Sequence, residues 1–159
     1  MRDVLGRTVL TTRRLALSVA AGVLLVDQLV KWWVVATLPG DPIVLVDGFL
    51  QLRFVENFGA AFSMLDGSGS VIALIAMAAA VFIFLVAEKL KGKGETVALG
   101  LILGGAVGNL ADRVFRGDGF LDGGVVDFVD FSFFPAFNVA DSAITIGAIL
   151  ALWFAFTER

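Results

Sequence analysis

Apolar positions gather in four blocks, about 15–38, 71–87, 96–114 and 137–156. Each is close to the run of about 20 apolar residues that crosses a bilayer as a helix. Between the first two blocks the pattern changes period. Leu50, Leu52 and Phe54 alternate with Gln51 and Arg53, the signature of a strand with one apolar face. Asp47-Gly48 between Ile43–Val46 and that stretch is a hairpin signal. The pattern predicts an all-α membrane protein of four transmembrane helices, carrying a small β-rich platform over about 41–66. Residues 1–159 read as one integral membrane domain, with no internal repeat.

Composition narrows the chemistry. Hydrophobic side chains make up 58% of the 159 residues and charged ones 17%, with a mean hydropathy of +0.93. Soluble domains run about 45–50% apolar and about 25% charged, so a soluble enzyme, a disulfide scaffold and a disordered chain are excluded. Cys, His and Tyr are all absent, which removes thiol nucleophiles, the usual general base and most zinc sites. Chemistry must rest on Asp, Glu, Lys, Ser, Thr, Asn and Arg, and no cofactor or metal is expected.

Charge sets the expected orientation. Arg2, Arg7, Arg13 and Arg14 precede the first block, and Lys89, Lys91 and Lys93 follow the second. The other connections carry mainly acids: Asp41, Asp47, Glu56 and Asp66, then Asp118, Asp122, Asp127 and Asp130. The positive-inside rule places both termini and the loop at 88–95 in the cytoplasm. Trp32 and Trp33 then fall near the outer interface and Trp153 near the inner one. Arg13-Arg14 before an apolar stretch resembles a signal peptide. The length of the block, its internal Asp27 and Lys31, and the lack of an A-x-A site favour a retained helix.

Ionisable groups inside spans are costly and usually functional. Asp27 and Lys31 are four apart on one face, in the favourable order for an ion pair. Lys31 lies roughly 24 Å from the cytoplasmic end. Gly100, Gly104 and Gly108 form a small-residue seam on the third block, continued by Asp112 and Arg116, with Asn109 and Arg113 beside it. Asn138, Asp141 and Thr145 share a face of the fourth block. Asp141 lies roughly 6 Å inside it, beyond the best capping position. These residues converge at the outer level, where Val125–Phe131 adds Asp127 and Asp130 on what reads as a strand dipped into the interface. Clustered Asp residues without His or Cys suggest two carboxylates sharing a proton, one ionised to activate water and one protonated to polarise a carbonyl. The residues alone leave open which of Asp112, Asp127, Asp130 and Asp141 form the pair.

Five stretches, in order over about 23–150, resemble bacterial lipoprotein signal peptidases (signal peptidase II), a family of aspartyl intramembrane proteases. They are Asp27-Gln28-Leu29-Val30-Lys31, Glu56-Asn57-Phe58-Gly59-Ala60-Ala61-Phe62-Ser63, the run from Gly104 to Arg113, Val125-Val126-Asp127-Phe128, and Phe137-Asn138-Val139-Ala140-Asp141-Ser142-Ala143. The resemblance implies removal of the signal peptide from prolipoproteins carrying a diacylglyceryl-cysteine, at the extracytoplasmic face of the bacterial cell membrane. It implies Asp127 and Asp141 as the catalytic pair. Asn57, Asn109, Asp112, Arg113 and Asn138 would support the site or position substrate, and Asp27 with Lys31 would brace the first span. The expected partners are the prolipoprotein and membrane lipid, with no nucleic acid, and the expected form is a monomer. The acidic, Gly-rich stretch at 115–124 departs from the family pattern and reads as a flexible excursion. Two rivals are weighed: a small ion- or proton-coupled transporter using the intramembrane carboxylates, and a serine–lysine protease using Lys31 with Ser63 or Ser142.

Overall fold

A long apolar run without Pro or an internal turn signal favours helix, and the first block belongs to α1, Arg2–Thr37. The third block becomes α2, Lys93–Phe115, and the fourth α3, Val139–Thr157. The computed structural model describes residues 2–59, 78, 92–119 and 121–157. The second apolar block (apart from residue 78), the loop lysines Lys89 and Lys91, and positions 60–63 of the second motif lie outside the described residues. Among the described residues, three helices are long and apolar enough to cross a membrane.

The remaining elements are strands: β1 (Ile43–Val46), β2 (Leu50–Asn57), β3 (Val125–Phe131) and β4 (Phe134–Phe137). They form one antiparallel sheet in the order β1-β2-β3-β4. The Asp47-Gly48 hairpin is present, with Gly48 at φ +64 and Phe49 N–H donating to Val46 O at 3.0 Å. A left-handed residue there suits glycine, which lacks the Cβ that clashes in that region. The apolar face of β2 supplies Leu52 and Phe54 to a core of Val34, Leu38, Val126 and Phe128. That core seats the sheet on the last turns of α1.

The all-α class read from the sequence is therefore corrected to helices plus a four-stranded sheet. The long apolar blocks dominate the hydropathy pattern. The strands are short and come from two segments far apart in the chain, 43–57 and 125–137, so no local pattern announces that they pair. The fourth block also begins later than expected, since Phe137 ends β4 and the helix starts at Val139.

The glycine seam packs α2 against α1. A Cβ at Gly100 would lie 2.7 Å from Val19 Cβ, and one at Gly104 would lie 2.6 Å from Ala20 O. On the other side of α2, Gly105 meets the backbone of Ala140 on α3, and Gly147 of α3 meets Ala98 O. Without a hydrophobic drive between helices in lipid, such close backbone approach is what packs them. It brings the polar ends of the three helices together under the sheet.

Candidate active site

Four ionised groups form a brace at this end of the bundle. Lys31 Nζ lies 2.9 Å from Asp27 Oδ2 and 2.8 Å from Asp112 Oδ2, all three side chains fully buried. It also donates to Asn109 Oδ1 at 2.9 Å. An ammonium has three hydrogens and no acceptor, so these contacts saturate it. Asp112 Oδ1 receives Arg116 Nε at 2.8 Å, and Oδ2 receives Val126 N–H at 3.1 Å, tying α2 to β3. Asp27 Oδ1 accepts the Ala140 N–H at 2.9 Å, capping α3 from α1. Gly108 makes this possible, because a Cβ there would lie 2.7 Å from Asp27 Oδ2. Two cations balance two anions, which is what allows charge to stay buried.

Above the brace, Asp127 on β3 and Asp141 on α3 both line one cleft of about 760 Å³. Its walls include Phe134, Pro135, Phe137, Ile144 and Ile146, so the carboxylates face a largely apolar space. Asp127 Oδ1 receives Asn138 Nδ2 at 2.6 Å and Oδ2 receives Asn57 Nδ2 at 3.0 Å. Asp141 Oδ1 receives Asn109 Nδ2 at 2.8 Å and Oδ2 receives the Asn138 backbone N–H at 3.2 Å. Three asparagines thus each aim an amide at a carboxylate. In each, the carbonyl end is held by a donor: Asn57 by Gly59 N–H, Asn138 by Asp141 N–H, and Asn109 by the Lys31 ammonium.

Burial pushes the Asp127 carboxyl up to about 6; the Asn57 hydrogen bond opposes this and the neighbouring Asp141 charge adds to it. Asp130 behaves oppositely. Its carboxylate is bonded by Arg53 at 2.6 Å and Gln51 at 2.7 Å, and the Arg53 bond holds its pKa below the usual carboxylate range. The structure brings Asp127, Asp141, Asn57, Asn109 and Arg113 to the cleft, with Asn138 fully buried behind it and hydrogen-bonded to both carboxylates. Asp27, Lys31 and Asp112 lie in the brace, and Asp130 pairs across the sheet instead.

Two sequence expectations change. Asp141 is not beyond capping range: Asn138 is the cap residue, and the two exchange Asp141 N–H to Oδ1 and Asn138 N–H to Oδ2, a capping box in Asn-x-x-Asp form. The described residues of the 115–124 stretch, 115–119 and 121–124, are anchored rather than a free excursion. Arg113 Nη1 donates to Gly123 O at 3.0 Å, Gly123 N–H returns to Arg113 O, and Leu121 is buried. Sequence reasoning also missed Gln28, whose Nε2 reaches Asp27, Gly108 O and Asp112. Its place in the Asp27–Lys31 stretch was the available signal. The serine–lysine arrangement finds no support, because the Lys31 ammonium is committed to two carboxylates and an amide.

The chain is similar to known proteins over nearly its whole length. Residues 19–157 match the family model described as Signal peptidase (SPase) II. A lipoprotein signal peptidase of Rhodococcus jostii (strain RHA1) is 46% identical over 140 residues, covering 87% of this chain and 71% of that protein. One of Mycobacterium avium (strain 104) is 47% identical over 138 residues, covering 86% and 76%. A bacterial membrane enzyme solved by the in meso method at 1.9 Å resolution superposes with a TM-score of 0.75. It is 31% identical, over 91% of this chain and 94% of that one.

Proposed function

The chain belongs to the signal peptidase II family, and from that premise we propose that it removes the signal peptide from diacylglyceryl-modified prolipoproteins, using Asp127 and Asp141 as an aspartyl pair. The observation that carries this reading is that these two carboxylates, each held by aimed asparagine amides, line the same apolar cleft. Two carboxylates in one site cannot both ionise cheaply, so one proton is shared.

In the proposed reaction the ionised carboxylate takes a proton from water as the water oxygen bonds to the scissile carbonyl carbon. The protonated carboxyl gives its proton to the carbonyl oxygen, leaving a neutral gem-diol. The first carboxyl then protonates the departing amide nitrogen as the C–N bond breaks, and the second recovers a proton from the diol. The asparagines hold both carboxyls in place through the cycle, so little reorganisation is needed at the transition state. The apolar walls suit the acyl chains of a diacylglyceryl group.

The proposed topology keeps four spans, with both termini cytoplasmic and the cleft at the extracytoplasmic side of the bacterial cell membrane. The proposed form is a monomer. A transporter is not favoured: the buried charges collect at one end of the bundle, and Lys31 is locked between Asp27 and Asp112 rather than set in a relay across it.

The test is cleavage by the purified protein of one prolipoprotein, with and without its diacylglyceryl group. Processing of the modified form alone is expected. Equal processing of both, or of neither, would overturn the assigned substrate.

A further inference from the structure

The donors behind the two carboxylates are not equivalent. The amides that serve Asp127 come from Asn57 and Asn138, whose carbonyl oxygens rest on the neutral backbone N–H groups of Gly59 and Asp141. The amide that serves Asp141 comes from Asn109, whose carbonyl oxygen rests on the Lys31 ammonium at 2.9 Å and also receives Asn138 Nδ2 at 3.1 Å. An ammonium only donates, so it decides which end of the Asn109 amide faces it. The NH2 end must then face Asp141. A cation on the carbonyl also polarises the amide, and a polarised chain of hydrogen bonds makes the last donor stronger. Asp141 further occupies the third position of α3, where a backbone N–H meets Oδ2 and the helix N-terminus favours negative charge. Asp127 has no such terminus beside it and is only 2% exposed.

We propose that Lys31 is a positioning residue which, through Asn109, makes Asp141 the ionised, water-activating member of the pair and leaves the shared proton on Asp127. The assignment rests on the aspartyl-pair reading above. Lys31 itself touches neither carboxyl of the pair. Asp27 and Asp112 fix where its ammonium stands, and their charges cancel its own and that of Arg116. The other charged group lining the cleft is Arg113 of α2, while Glu56 beside Asn57 is exposed.

The pH profile of kcat/KM on a diacylglyceryl-modified prolipoprotein tests this. Its acid limb reports ionisation of the first carboxyl, and its alkaline limb reports loss of the shared proton. Asn109→Asp keeps the volume and still accepts from Lys31, but offers Asp141 a like charge in place of a donor. Its acid limb should move up by at least about one pH unit, and by more than the alkaline limb. Asn57→Ser, which removes a donor from Asp127, should move the alkaline limb up and leave the acid limb. Asn109→Ser supplies the same acid-limb comparison if the charged variant is too slow to profile.

Exchange of the two limbs between the Asn109 and Asn57 variants would give the anion to Asp127 and overturn the assignment while leaving the aspartyl pair intact. Limbs unmoved in the Asn109 variants would remove the positioning role. Cleavage by Asp141→Asn would overturn the aspartyl-pair reading itself, and the assignment with it.

Discussion

The Lys31 ammonium and the Asp112 carboxylate meet at 2.8 Å with neither side chain exposed. The pair links α1 to α2 in a low-dielectric setting where removing one partner strands the other. Breaking a buried pair in this way costs about 3–5 kcal/mol. Lys31→Met, which leaves both Asp27 and Asp112 without it, should lower the thermal midpoint in detergent substantially. Lys31→Arg keeps the charge and should recover part of that loss. A Lys31→Met protein as stable as wild type would show that the brace carries little of the fold.

Asp127 gives stability a definite pH dependence. Its folded pKa of about 6 lies above the ordinary 3.8, so folding favours the protonated form. The contribution is fully present below the unfolded value and is lost as pH rises through about 6. Wild type should therefore lose more stability than Asp127→Asn between pH 4.5 and 7.5, by about 2 kcal/mol. Thermal unfolding of both proteins across that range checks the sign. A larger loss in the variant would contradict it.

Helix packing is tested at Gly104, where a Cβ would lie 2.6 Å from Ala20 O, a backbone atom that cannot rotate aside. Gly104→Val must push α1 from α2, at a cost of about 1–3 kcal/mol. Because Lys31 and Asn109 face each other across that interface, cleavage should fall along with stability. Gly22, which has open space where a Cβ would stand, should accept Ala with both properties kept.

Carboxylates outside both the cleft and the brace should be dispensable for cleavage. Asp130→Asn loses an ion pair with Arg53, whose own side chain is nearly half exposed, worth about 0–1 kcal/mol. Asp122→Asn can still accept the Gly119 N–H. Initial rates within about twofold of wild type are expected for both, since neither group touches the cleft. A hundredfold loss in either would mean that the site extends beyond its described lining.

Much of this arrangement was legible before any coordinates. The three apolar helices, the Asp27–Lys31 pair and the glycine seam follow from hydropathy and spacing, because helical periodicity is a local property. The Leu50–Phe54 alternation and the Asp47-Gly48 turn located β1 and β2. What was hidden is non-local. Nothing near Val125 states that β3 pairs with β2, and only that pairing brings Asn57 to Asp127. The capping position of Asp141 was misread because the helix start was placed too early in the chain. Once Asn138 is the cap, the Asn-x-x-Asp spacing explains both residues. Asp112 could not be separated from Asp127 by residue type, since only tertiary structure shows one saturated by Lys31, Arg116 and Val126 N–H and the other facing the cleft.

The central claim is that Asp127 and Asp141 perform the cleavage together. Its most direct test is the single-turnover rate of purified wild type, Asp127→Asn and Asp141→Asn on a diacylglyceryl-modified prolipoprotein, with folding and substrate binding measured on the same samples. General acid–base contributions run to about 10²–10⁴-fold each. Both variants should lose at least about a hundredfold in rate while remaining folded and binding substrate. A folded Asp141→Asn or Asp127→Asn protein that cleaves at near the wild-type rate would contradict the account.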